Sequence, residues 1–110
     1  MKTKYVYSAI SLLTFLFLMS GSLWAGPVGS DCTFNGKKLY GKVQFVTSFP
    51  DIKVQIVDSF PDLKVQKVSS FPDSCGKWEE VSSFPDIKVQ IVDSFPDIKI
   101  QYVTSFPGVN

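Results

Sequence analysis

Through most of the chain apolar and polar residues alternate in short runs: Ile52, Val54 and Ile56 against Lys53 and Gln55, Leu63 and Val65 against Lys64 and Gln66, Ile87, Val89 and Ile91 against Lys88 and Gln90. A period of two with abundant β-branching predicts strands whose side chains project to two faces in turn, and no helix. The alternation slips at Val57, and the equivalent position is Val in every run. Either a bulge turns that residue inward or both faces are partly covered.

Each run ends in Ser-Phe-Pro. The triplet begins at Ser48, Ser59, Ser70, Ser83, Ser94 and Ser105, so the successive steps are 11, 11, 13, 11 and 11 residues. A fixed period marks a repeat architecture, in which each unit buries its apolar face against copies of itself. Proline fixes its own φ, pushes the preceding phenylalanine toward an extended conformation and lacks an N–H, while the aspartate that follows suits a turn. Phe-Pro-Asp is therefore predicted to end one strand and bend the chain. The corner phenylalanines, Phe60 and Phe95 among them, are expected to be buried anchors.

A longer period is superposed. Gly41-Lys42-Val43 returns as Gly76-Lys77-Trp78, and the first three serines return 35 residues later, dividing the chain into halves at about 41–75 and 76–110. Ser74-Cys75-Gly76 is the joint, where the 13-residue step falls. One complete solenoid coil per unit would enclose too narrow a section for aromatic side chains and would stack Lys53 on Lys64 at strand spacing. One strand and one corner per unit avoid both problems. The expected fold is a small all-β domain of about six or seven strands, its halves related by an approximate two-fold. Ahead of the repeat, Asn35-Gly36 predicts a type I′ hairpin turn.

The ends and the composition add context. Lys2 and Lys4, an apolar stretch from Ile10 to Met19, and small residues up to Ala25 are ordered as in a secretory signal peptide, so residues 1–25 are read as a cleaved leader and 26–110 as the exported domain. The uncharged run from Tyr5 to Ala25 would also span a bilayer if it were retained as an anchor, the one route by which a membrane enters. Removing Lys2 and Lys4 leaves nine lysines against ten acids. With an aspartate near each lysine there is no basic stripe for nucleic acid. Cys32 and Cys75 are the only cysteines, and an even count in an exported chain predicts a disulfide between them.

Candidate chemistry is sparse. The chain has no histidine, phosphate loop or nucleophile elbow, so no enzymatic activity, cofactor or metal is expected. Asp51, Asp62, Asp73, Asp86 and Asp97 recur with the turn and are read as turn chemistry, not as an acid or calcium array. Glu79 and Glu80 stand where glutamine and an apolar residue usually occur, but neighbours on a strand point to opposite faces. Trp78 is read as core, with an aromatic platform beside Tyr40 or Tyr102 as the competing possibility. Two functions follow: a non-enzymatic structural or interaction module, or a small ligand-binding protein or hydrolase with its site near Trp78, Glu79 and Glu80.

The segment Gly-Lys-Val-Gln-Phe-Val-Thr-Ser-Phe-Pro-Asp at 41–51, its repeats and Asp73-Ser74-Cys75-Gly76-Lys77-Trp78 together resemble the septoil-knot domain family. The resemblance covers Gly41 to Pro107 and implies a β domain whose backbone forms a 7(1) knot, with no catalytic residues or cofactor to carry over. The periods alone imply no knot, since true knots are nearly absent from proteins.

Overall fold

The computed structural model describes residues 26–109, and the expected leader lies outside them. Among the described residues nine strands run in chain order: β1 (Thr33–Phe34), β2 (Lys37–Lys38), β3 (Gly41–Phe45), β4 (Ile52–Ile56), β5 (Leu63–Lys67), β6 (Lys77–Glu80), β7 (Ile87–Ile91), β8 (Ile98–Tyr102) and β9 (Gly108–Val109). Among the described residues there is no helix. β1 and β2 form the expected hairpin, with Asn35 and Gly36 at φ 50° and 80°, as a type I′ turn requires.

The six repeat strands form a closed parallel barrel in the order β6-β3-β7-β4-β8-β5, closed by the β5–β6 pair. Strands of the first half, β3 to β5, alternate around it with strands of the second, β6 to β8. Every barrel ladder therefore joins one half to the other. The 35-residue shift carries each strand onto its neighbour. At every seam the register is staggered by two residues: Val43 lies opposite Ile87, Val89 opposite Ile52, and Val54 opposite Ile98. The stagger keeps the lysines apart, since Lys53 faces Gln90 and Lys99 faces Gln55.

The core is tiered. The first inward position of each unit is Gly41, Ile52, Leu63, Gly76, Ile87 or Ile98, and all are buried. The second is Val43, Val54, Val65, Trp78, Val89 or Ile100, exposed by 2% at most. With glycine at two first-tier positions, only four side chains fill that tier, and the fully buried Leu39 joins the same cluster from the segment before β3. Gly76 is held at φ +82°, where a side chain would run into the Lys64 carbonyl. The slip at Val57 reflects the end of a strand. Its N–H still donates to Ile100 O, continuing the ladder, while Ile56 on the inward face already lies beyond the core. β9 pairs antiparallel with Leu63 and Lys64, the part of β5 that β6 does not reach.

The buried-anchor expectation for the corner phenylalanines fails. Phe49, Phe60, Phe71, Phe84, Phe95 and Phe106 are 79–93% exposed, and all have φ between 53° and 56°, not the extended conformation. Topology supplies the reason. Between β3 and β4 lies β7, so the link 46–51 must cross a strand whose inner side is packed, and it passes outside as an arch. Proline disfavours the right-handed helical region for the residue before it, and an arch that must turn back toward the barrel takes the left-handed region instead. The ring is left at the crest.

Candidate functional site

The arches are fastened to the strands beneath them by the repeat's polar residues. Over β7, Asp51 N–H donates to Lys88 O at 2.8 Å, Lys88 N–H donates back to Asp51 Oδ2 at 2.8 Å, and Gln90 Nε2 donates to Thr47 O at 3.2 Å. The same clamp recurs with Asp62, Lys99 and Gln101 over β8, and with Asp97, Lys53 and Gln55 over β4. Asp86 closes on Lys42 over β3. The repeated aspartates and glutamines thus bind arch to strand. Oδ2 of Asp51, Asp62, Asp86 and Asp97 each accepts one backbone N–H, which ties the four carboxylates to four different strands.

The result is a girdle of six aromatic crests. Four of the five links between barrel strands cross a strand of the other half, carrying Phe49 over β7, Phe60 over β8, Phe84 over β3 and Phe95 over β4, whereas the link with Phe71 joins the neighbouring strands β5 and β6. The sequence pattern obscured this, because a large apolar residue recurring with a fold-defining period reads as core. A contrary signal was present: each crest stands between serine and proline, with no apolar residue two positions away.

The joint between halves is built differently. Glu79 replaces the glutamine that donates in five other units and has no N–H to offer, and Asp73 N–H turns to Phe71 O instead of a strand. Phe71 is accordingly the least exposed crest, at 79%. Cys75 at this joint is disulfide-bonded to Cys32. Trp78 lies in the core with Nε1 donating to Leu39 O at 3.0 Å, and its ring meets Phe45 with centroids 6.2 Å apart. It is thereby withdrawn from any surface platform.

The residues Trp78, Glu79 and Glu80 do not converge on one concavity. Trp78 faces inward, Glu79 lies on the outer face, and Glu80 borders an open depression of about 560 Å³ with Gln44, Phe45, Val81 and Ser82. On the same end of the barrel Tyr102 is half-buried, with the Lys67 ammonium 4.5 Å from its ring centre. Burial, and secondarily the negative charge of Glu80, hold its phenol pKa above the usual value. Among the described residues no group of three or more candidate ligands is placed to hold a metal ion.

A family model described as the 7(1) septoil knot domain matches residues 36–110. An uncharacterised protein of Synechocystis sp. is 75% identical over 48 residues, 44% of this chain and 43% of that protein's length. The chain thus spans less than half of that relative.

Proposed function

The chain belongs to the septoil knot domain family, and on that footing we propose that it is an exported, non-enzymatic structural or interaction module that presents its phenylalanine crests to a partner. The observation that carries this reading is the girdle. Six large apolar side chains stand 79–93% exposed, each in a backbone conformation unfavourable to residues with a Cβ, so they contribute little packing to offset that cost. The clamped arches hold the backbone beneath four of the rings, Phe49, Phe60, Phe84 and Phe95, in fixed positions, which lowers the ordering cost of binding. Export is supported by the order of charged, apolar and small residues up to Ala25 and by the Cys32–Cys75 disulfide, a bond suited to oxidising compartments.

The test compares the wild-type chain with a variant in which all six crest phenylalanines are serine, measuring retention on envelope material of the producing cells. Retention lost by a variant of unchanged circular dichroism and melting temperature supports the reading. Equal retention of both removes the crests from any binding role. Mass measurement of exported protein should place its first residue near Gly26, and an intact Met1 in membranes would replace the leader by an anchor.

A further inference from the structure

The barrel strands are parallel, so their six carboxyl ends share one mouth. Its rim is the third inward position of each unit, beyond the two buried tiers. Taken around the barrel from β6, the rim reads Glu80, Phe45, Ile91, Ile56, Tyr102 and Lys67. Four adjacent strands thus present an apolar arc, and the other two place one anion beside one cation. The arc is not covered within the chain: Ile56 and Ile91 are 44% and 47% exposed, and Phe45 and Tyr102 are only partly buried. At the opposite end the segment around Leu39, pinned by the disulfide, joins the core.

We propose that this mouth binds the same mouth of a second copy, stacking two barrels end to end about a two-fold axis. The rim is complementary to itself under one such rotation. An axis perpendicular to the barrel, passing between β5 and β6 on one side and between β4 and β7 on the other, reverses the rim order. It sets Lys67 against the partner's Glu80, Phe45 against the partner's Tyr102, and Ile91 against the partner's Ile56, each pairing occurring twice. Charge meets opposite charge, ring meets ring, and aliphatic meets aliphatic. An axis moved to run through β5 would set Lys67 against itself and Glu80 against an aromatic ring, so the charges select the register. Lys67 and Glu80 are both exposed and neither forms an ion pair among the described residues; the Lys67 ammonium rests 4.5 Å from the Tyr102 ring centre, a contact to a neutral ring that leaves its charge uncompensated.

The arc offers on the order of a few hundred Å², comparable with the largest apolar patch of many monomers. That is below the roughly 800 Å² per partner of a standard stable interface, so the dimer is weak and concentration-dependent. The near-neutral balance of nine lysines and ten acids adds no net repulsion between copies. This inference deepens the interaction-module reading and rests on it, but it uses a surface separate from the crests.

Sedimentation equilibrium of the exported chain, from micromolar to millimolar concentration, tests it. A monomer–dimer equilibrium is expected, weakened roughly tenfold or more by Ile56→Asp or Ile91→Asp in chains whose circular dichroism is unchanged. Lys67→Glu and Glu80→Lys should each weaken it, and the double variant should restore it, an outcome that a merely structural role for either residue would not produce. A chain monomeric throughout the range, or a dimer indifferent to the two charge reversals, overturns the proposal. So does a monomer that binds phosphatidylcholine vesicles in an Ile56-dependent manner, which would assign the mouth to lipid. The crest variant keeps the rim intact, so failure of either reading is visible without failure of the other.

Discussion

Tyr102 shows how a rim position shapes a single group. Its phenol is half-buried and faces the field of Glu80, both of which disfavour the tyrosinate. Below about pH 10 the phenol is neutral in folded and unfolded chains alike, so the full contribution to stability is present. Above that, the unfolded chain ionises first, and stability falls as the pH rises through the higher folded-state pKa. The denaturation midpoint should therefore drop at alkaline pH by more in the wild type than in Tyr102→Phe; equal drops would show that the loss arises elsewhere. The crests lead to a different expectation. Removing a ring that is 92–93% exposed leaves no cavity, so Phe60→Ala and Phe95→Ala should each cost below about 1 kcal/mol in chemical denaturation. A loss of about 3 kcal/mol at either would mean an enclosed ring, contrary to the structure.

At the scale of elements, the strands were legible because a strand with one buried face must alternate, and the period of 11 residues counted them correctly. The hairpin turn was legible because Asn-Gly tolerates positive φ. What eluded the alternation was which inward residues stay dry. Ile52, Val54 and Ile56 are indistinguishable in pattern, yet only the first two lie within the packed tiers, and the third forms the rim. Strand pairing also lay beyond the pattern, because register and neighbour order are set by partners distant in sequence. The disulfide belongs at this scale, since it ties the segment before β3 to the joint before β6 across 43 residues. Chain-entropy reasoning puts its stabilisation at roughly 4 kcal/mol for a loop of that size. Replacing both cysteines by serine should lower the denaturation midpoint accordingly, with the largest loss of amide protection in residues 28–39. Thiol titration of the unfolded, unreduced wild type should find no free thiol.

The molecule as a whole is two coils of three strands, each filling the gaps left by the other. No strand of β3 to β5 bonds to another strand of its own half, and the same holds for β6 to β8. Neither half can therefore close a ladder alone, and fragments 26–75 and 76–110 should each lack cooperative β structure by circular dichroism. A folded fragment would contradict the interleaved pairing. Gly41 pairs with Trp78 and Val43 with Ile87, so loops of about forty residues must close before those pairs are gained. Refolding should be slow even for a β protein, because nearly all its seams are long-range. The arches add a further constraint, since four of the five links between barrel strands pass outside a strand of the other coil, and neither coil can dock as a finished unit. One terminus must be threaded into place if the backbone closes as the family's description implies. A bulky, stably folded fusion at the carboxyl terminus should then slow refolding well beyond its effect on equilibrium stability, and equal slowing of an unknotted barrel carrying the same fusion would remove threading as the cause.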